Sequence, residues 1–118
     1  MTNPESVLQA EIRLALGRDP SLVLWRNSTG TAAHLNPRTN RTTTVRYGLA
    51  VGSADLVGIL APAGRFVALE IKTETGRVRP EQTQWLALVR SRGGFAAVVR
   101  SVDEARAAIE RARSGASE

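Results

Sequence analysis

The sequence contains no cysteine and only one histidine, His34, and these absences exclude several kinds of site. Without cysteine the chain has neither a disulfide framework nor a thiolate metal site. A single histidine likewise excludes a zinc site built on a histidine pair. A metal site in this chain is therefore expected to rely on oxygen ligands.

Long apolar segments are also missing. No apolar run approaches the roughly 20 residues that cross a bilayer, and the first residues lack the pattern of a signal peptide. We therefore expect a soluble, cytoplasmic protein with no membrane partner. Its 118 residues, 42% of them hydrophobic, predict one folded domain over residues 1–118.

The charge is strongly one-sided, with a formal net charge of +5 at pH 7 and a pI of about 11.2. A basic balance of this kind suits a polyanionic partner such as a nucleic acid, although purely structural basic proteins share it. Of the 16 basic residues, only Lys72 is a lysine. Its position therefore stands out from the arginines.

The order of elements predicts an α/β fold with a mixed central sheet flanked by helices. The first helix is expected from Pro4 to about Leu16, with Asn3 as its N-cap and Gly17 at its end. The later elements are three strands, a helix, a strand and a last helix, at 21–28, 55–60, 66–72, 80–92, 95–99 and 102–113. The stretch from Gly30 to Arg46 is expected to be a loop or a projecting hairpin.

The strand over residues 66–72 has two different faces. Val67, Leu69 and Ile71 point to one side and form an apolar face. Glu70 and Lys72 point to the other, about 6–7 Å apart along the strand. The pair is either an exposed ion pair of little energetic weight or part of a site where both groups converge on one ligand.

Asp55 is expected to join this pair. The connection over residues 61–65 is short enough for a hairpin, so the strand that begins near Asp55 should lie antiparallel to the strand of Glu70. Pairing back from the turn brings Asp55 beside Glu70 and Lys72. Two carboxylates and one ammonium group would then share one end of the sheet.

Two further polar residues are candidates for the same site. Glu11 falls within the predicted apolar stripe of the first helix, after Val7 and Leu8. It is either a boundary residue bonded to an arginine or a backbone amide, or a carboxylate directed at a polar site beneath the helix. Gln82 lies one turn before Trp85 on the second long helix.

Carboxylates without histidine or cysteine suit Mg²⁺ or Mn²⁺. A divalent ion beside a lysine suits phosphodiester hydrolysis, and arginines would hold the polyanion. The arginines of the Gly30–Arg46 stretch either contact phosphates or are ordinary solvated side chains. The candidate nucleic-acid-binding residues are Arg26, Asn27, Arg38, Arg41, Arg46, Arg77 and Arg79.

Asp55 followed by Glu70-Ile71-Lys72 matches the D…ExK signature of the PD-(D/E)xK nuclease superfamily. Within it, the chain resembles the virus-type replication-repair nuclease (VRR-NUC) domain in its stand-alone form, over about residues 5–105. The other matching pieces are Glu11, Arg26-Asn27, Gly52-x-x-Asp55, Gly76, Pro80-x-Gln82 and Gly93-Gly94. The leading proline of the superfamily signature is replaced by Ala54.

The resemblance implies a restriction-endonuclease-like core of order αβββαβ, followed by a C-terminal helix. It implies that Asp55, Glu70 and the Ile71 carbonyl bind Mg²⁺ or Mn²⁺, with Glu11 completing the acidic cluster. It also implies that Lys72 orients or activates the attacking water. Gln82 would hold Lys72 or the phosphate.

Stand-alone members of this family resemble archaeal-type Holliday junction resolvases, which implies a homodimer that cuts branched DNA. The Trp85 face would serve that dimer or belong to the core. Flaps, single strands and unspecific duplex remain alternative substrates. A non-cleaving nucleic-acid-binding module, a subunit that depends on a helicase or replication partner, and a purely structural role are the alternative functions.

Overall fold

The structure, a computed structural model, describes residues 3–118 and consists there of three helices and six strands. In chain order they are α1 (Pro4–Leu16), β1 (Leu22–Arg26), β2 (Gly30–Asn36), β3 (Arg41–Tyr47), β4 (Leu56–Leu60), β5 (Arg65–Ile71), α2 (Pro80–Ser91), β6 (Phe95–Val99) and α3 (Val102–Arg113). The predicted mixed α/β fold is confirmed. None of the helices in this range is both long enough and apolar enough to span a bilayer.

The main sheet has four strands in the order β1-β4-β5-β6. Strand β4 is antiparallel to β1 and β5, whereas β6 is parallel to β5, so the sheet is mixed. Strands β4 and β5 form the predicted hairpin, in which Leu56 pairs with Leu69. The stretch from Gly30 to Arg46 forms a second hairpin, β2–β3, as a separate two-stranded sheet whose residues beyond Gly30 are all exposed.

Apolar side chains cover the two faces of the main sheet unequally. On one face, Ile12 of α1 and Ile109 of α3 pack with Val67, Leu69 and Ile71 of β5. On the other face, α2 packs on β5 and β6 in a smaller cluster of buried residues, which are Ala54, Ala68, Leu86 and Ala96. The predicted alternation along β5 is confirmed, and it directs Glu70 toward the smaller cluster.

Helix ends follow from local sequence. The side chain of Asn3 accepts a hydrogen bond from the Glu5 N–H at 2.9 Å, which caps α1, and the helix ends before Gly17 as predicted. Ser101 caps α3 in the same way, accepting from the Glu104 N–H at 3.0 Å. Pro80 occupies the first turn of α2, where its missing N–H has no cost.

Two glycines allow the segment between β3 and β4 to pass close to its neighbours. Gly48 has φ +91°, and a Cβ there would lie 2.5 Å from the side chain of Thr29. Gly52 has φ +81°, and a Cβ there would lie 2.3 Å from the carbonyl oxygen of Glu81 at the start of α2. These contacts bring the base of the β2–β3 hairpin, the residues before Asp55 and the N-terminus of α2 together.

Candidate metal centre and nucleic-acid cleft

Asp55 and Glu70 lie side by side at the end of the β4–β5 hairpin. Asp55 immediately precedes β4, and the pairing of Leu56 with Leu69 carries it to the level of Glu70. The Ile71 N–H donates a hydrogen bond of 2.9 Å to Oδ2 of Asp55, which fixes the orientation of this carboxylate. The register therefore brings these two carboxylates together, as expected from the short connection between the strands.

The third carboxylate of this group belongs to Glu5. Carboxylate oxygens of Glu5, Asp55 and Glu70 lie within 4.8 Å of one another. Glu11 is exposed on α1 and does not belong to the group. The prediction that Glu11 lies on the buried stripe was wrong.

Helix geometry explains the error. The buried side of α1 is centred on Ile12 and Leu16. Glu5 is seven residues before Ile12, almost two full turns, and so it projects to the same side. Glu11 is the neighbour of Ile12 and projects about 100° away from it. Including Val7 in the stripe, although 40% of it is exposed, displaced the predicted centre toward Glu11.

Glu70 is the most deeply buried member of the group, with 1% of its surface exposed. Its Oε1 accepts a hydrogen bond of 3.3 Å from Nε2 of Gln82, whereas Oε2 has no hydrogen-bond partner among the described residues. Burial, hydrogen bonding to Asp55 and the negative charge of Asp55 together raise the pKa of Glu70 to about 9, with burial as the largest cause. The protonated carboxyl can donate to Asp55, whereas the ionised one leaves a buried oxygen unsatisfied.

These features fit a divalent cation. The group offers oxygen donors alone, which Mg²⁺ and Mn²⁺ prefer. A cation beside Glu70 would satisfy the unpartnered Oε2 and favour the ionised form of the carboxyl. The geometry indicates that Glu5, Asp55 and Glu70 would hold it.

Lys72 directly follows the end of β5, two residues beyond Glu70, and only 8% of it is exposed. Its charge acts on Glu70 in the direction opposite to burial, lowering the Glu70 pKa. The loop after β5 covers its aliphatic part, because Cδ of Lys72 lies 3.5 Å from where a Cβ on Gly76 would stand. Lys72 is therefore a buried cation next to the carboxylate group.

Gln82 connects the start of α2 to Glu70. Its Oε1 accepts a hydrogen bond of 2.9 Å from the Arg79 N–H, and its Nε2 donates to Glu70. The amide is thus oriented by the helix end. We expected Gln82 to hold Lys72 or a phosphate, but its partner in this structure is Glu70.

The raised pKa of Glu70 leads to a pH-dependent stability. Between about pH 4.5 and 9 the folded protein keeps a proton that the unfolded chain has released, so raising the pH favours unfolding. In EDTA, the free energy of unfolding should fall as the pH rises across this range, by at most the slope that the release of one proton sets, on the order of 1 kcal/mol per pH unit. Urea denaturation from pH 5 to 9 measures it. In Glu70→Gln, the free energy of unfolding should fall less steeply with pH, because the group that releases the proton is gone. If the free energy of unfolding falls equally steeply in wild type and Glu70→Gln, the prediction is contradicted.

A cleft of about 340 Å³ opens beside the carboxylates. Arg26, Asn27 and Tyr47 line it together with Glu5 and Asp55. Arg26 is exposed there, in a position suited to an anion. The cleft therefore gives a polyanion access to the carboxylate group.

Asn27 is engaged in holding the loop before Asp55. Its Nδ2 donates to Oγ of Ser53 at 2.8 Å and to the Ala54 carbonyl at 2.9 Å. Its Oδ1 accepts from the Leu49 N–H at 3.3 Å. Both ends of the amide are thus used within the protein, which makes Asn27 a positioning residue for Asp55.

The structure separates the predicted nucleic-acid-binding arginines into different places. Arg38 and Arg41 lie at the far end of the β2–β3 hairpin. Arg46, at the hairpin base, lines a second groove of about 230 Å³ together with Arg79. Arg77 is exposed in the loop before α2. Only Arg26 of this set lines the cleft that contains the carboxylates.

Comparisons with known proteins agree with this architecture. The family model of the VRR-NUC domain matches residues 3–103. A solved structure described as a VRR_NUC domain is similar with a TM-score of 0.60 and 21% identity, over 92% of this chain and 97% of that one. A search of curated proteins gave no match. The fold is thus of a nuclease type, and this chain belongs to the VRR-NUC domain family.

Proposed function

We propose that this protein is a metal-dependent DNA endonuclease that hydrolyses phosphodiester bonds, with residues 1–118 acting as one nuclease domain. The observation that carries the proposal is the buried Glu70 oxygen without a partner, next to two further carboxylates and to Lys72. An apolar core has no use for this arrangement, because unsatisfied buried carboxylates are costly. A cation and a phosphate bound at the cleft would compensate that cost.

Glu5, Asp55 and Glu70 are the proposed ligands of Mg²⁺ or Mn²⁺, and Glu5 takes the place that we expected for Glu11. The Ile71 carbonyl is a further proposed ligand. When bound, the ion supplies charge stabilisation at the phosphate and lowers the pKa of a coordinated water. The remaining chemistry is assigned to side chains of this chain.

Each side chain of the site has a defined task in this proposal. The Lys72 ammonium stabilises charge that develops at the scissile phosphate and orients the attacking water. Gln82 fixes the Glu70 carboxylate, and the Ile71 N–H fixes that of Asp55. Because these contacts exist before substrate binds, the site is preorganised.

DNA is the proposed polyanion. No aspartate or glutamate occurs between Asp19 and Asp55, a segment that includes the whole β2–β3 hairpin. The four arginines of this segment are Arg26, Arg38, Arg41 and Arg46. Because it has no carboxylates, this segment does not repel phosphate groups, and its arginines can contact several phosphates along a DNA strand.

We further propose that the protein acts as a homodimer on branched DNA. Helix α2 covers β5 and β6, but Val23, Trp25, Ile59 and Phe66 on the same side of the sheet remain partly exposed. Trp85, the aromatic residue that we considered for a dimer, is partly buried. It packs against the smaller cluster and edge-on against Phe66, with ring centroids 6.4 Å apart. Exposed apolar side chains that lie together on one side of a sheet are typical of an interface. A two-fold dimer would present two sites to opposed strands.

Trp25→Glu is expected to disrupt this dimer. Trp25 is 53% exposed within the patch, and a glutamate there would bury a charge at the interface. We expect the dimer Kd to rise by about thirtyfold or more, measured by sedimentation equilibrium. Leu14→Glu is the control, because Leu14 is exposed on α1, which packs on the opposite side of the sheet. A wild-type protein that is monomeric at micromolar concentration would contradict the dimer.

The function itself is tested by cleavage of labelled DNA. A four-way junction, a flap, a duplex and a single strand of the same sequence are incubated with wild-type protein in Mg²⁺, Mn²⁺ or EDTA. Cleavage that needs the metal and is restricted to branched DNA supports the full proposal. Metal-dependent cleavage of every substrate supports the endonuclease but contradicts its preference for branched DNA. No cleavage by folded, DNA-bound protein contradicts the endonuclease and favours a non-cleaving or partner-dependent module.

A further inference from the structure

Tyr47 stands between the two grooves of the nucleic-acid side. It lines the cleft with the carboxylates and also the groove that contains Arg46 and Arg79. Thr29 is the other residue that the two grooves share. A DNA strand that passes from the carboxylates toward the two arginines therefore passes Tyr47.

The ring of Tyr47 is supported by a glycine. Tyr47 ends β3 and pairs with Gly30 at the start of β2. A Cβ on Gly30 would lie 2.6 Å from the hydroxyl oxygen and 2.9 Å from Cζ of Tyr47, so the ring lies directly against the backbone at this glycine. Even so, 48% of Tyr47 is exposed. The ring is thus fixed from one side and accessible to a ligand.

The groove beyond Tyr47 supplies positive charge. Arg46 comes from β3, and Arg79 immediately precedes α2. Arg79 forms an exposed ion pair of 3.3 Å with Glu81, which a phosphate can replace at little cost. Aromatic and cationic groups in sequence along a groove are the elements of a subsite for single-stranded nucleic acid.

We propose that Tyr47 forms a nucleobase subsite beside the scissile phosphate, with Arg46 and Arg79 binding the adjacent phosphate. This inference rests on the proposed endonuclease function. A base inside a duplex is stacked on both sides and cannot reach the ring, so the substrate has to offer an unpaired base at this position. The subsite therefore selects DNA with an unpaired nucleotide next to the cut, as at a fork, a flap or the centre of a junction.

The test is an abasic scan of DNA binding. Labelled flap substrates carry one abasic site at successive positions on either side of the branch point. Their affinity is measured by fluorescence anisotropy in Ca²⁺, after which a gel checks that the DNA is intact. The proteins are wild type, Tyr47→Ala and Tyr47→Phe. The control is Val45→Ala, an exposed hairpin residue that lines neither groove.

For wild type, an abasic site at one position should weaken binding about tenfold, as expected for the loss of one base–aromatic stack. An abasic site at that same DNA position should not weaken the binding of Tyr47→Ala. Tyr47→Phe and Val45→Ala should respond to it as wild type does. The inference is overturned if the abasic sites weaken binding of wild type and Tyr47→Ala equally, or if no position has an effect. This experiment measures DNA binding in Ca²⁺ and is therefore independent of cleavage in Mg²⁺. A lack of cleavage in Mg²⁺ would contradict the proposed function and not the nucleobase subsite.

Discussion

Replacing Lys72 with alanine is expected to lower the rate of DNA cleavage by about a thousandfold while Mn²⁺ still binds. Lys72 is a buried cation that directly follows β5, and its charge acts on Glu70. Removing a preorganised charge from a site shielded from water has a large effect on the transition state, because little solvent is present to replace it. The carboxylates that would hold the ion remain in place.

The effect of Lys72→Ala on the cleavage rate and its effect on Mn²⁺ binding are measured separately. Single-turnover cleavage is recorded at saturating Mn²⁺, so that a change in metal affinity does not enter the rate, and Mn²⁺ binding is recorded by calorimetry. Arg92→Ala, which removes an exposed positive charge at the C-terminal end of α2, away from Gln82 at the start of that helix, is the control and should cleave within about threefold of wild type. Joint loss of cleavage and Mn²⁺ binding in Lys72→Ala would contradict the assigned division of roles.

The second large effect is expected at Glu5. Glu5→Gln should weaken Mn²⁺ binding by at least about tenfold and lower cleavage at limiting Mn²⁺ accordingly. The reason is that the carboxylate oxygen of Glu5 lies within 4.8 Å of those of Asp55 and Glu70. An uncharged amide in the same place is a weaker ligand for a hard cation.

Glu11→Gln is a matched control for this prediction. It makes the same chemical change on the same helix, but Glu11 is exposed and outside the carboxylate group. We expect its Mn²⁺ affinity and cleavage rate to stay within about twofold of wild type, as for most exposed substitutions. If instead Glu11→Gln is inactive and Glu5→Gln is unaffected, the assignment of Glu5 as a metal ligand is contradicted, and Glu11 is the third carboxylate, as expected from the sequence.

The sequence predicts the parts of this fold that depend on local patterns. Alternation along residues 66–72 defines both faces of β5, and the cap at Asn3 defines the start of α1. The short connection between β4 and β5 is sufficient to bring Asp55 to Glu70, because a hairpin leaves little freedom in register. The site therefore follows from sequence where its residues lie on neighbouring strands.

Residues that meet across elements are harder to predict. Glu5 and Glu11 are six residues apart and project about 120° from each other on α1, so an error of that size in the predicted buried side exchanges one for the other. Sequence periodicity in a 13-residue helix barely resolves this difference. The contact of Gln82 with Glu70 depends on how α2 docks on the sheet. The contact of Tyr47 with Gly30 depends on the register of a hairpin whose strands beyond Gly30 are exposed on both faces, so that burial does not determine the register.

The most direct test of the metal-dependent nuclease is cleavage of a labelled four-way junction by wild type and Asp55→Asn, in Mg²⁺ and in EDTA. The asparagine keeps the size of Asp55 and its hydrogen bond from the Ile71 N–H, but removes the charge that a cation requires. The proposed site predicts cleavage by wild type in Mg²⁺, none in EDTA, and none by Asp55→Asn in either. Cleavage by wild type in EDTA, or by Asp55→Asn at the wild-type rate, would contradict it.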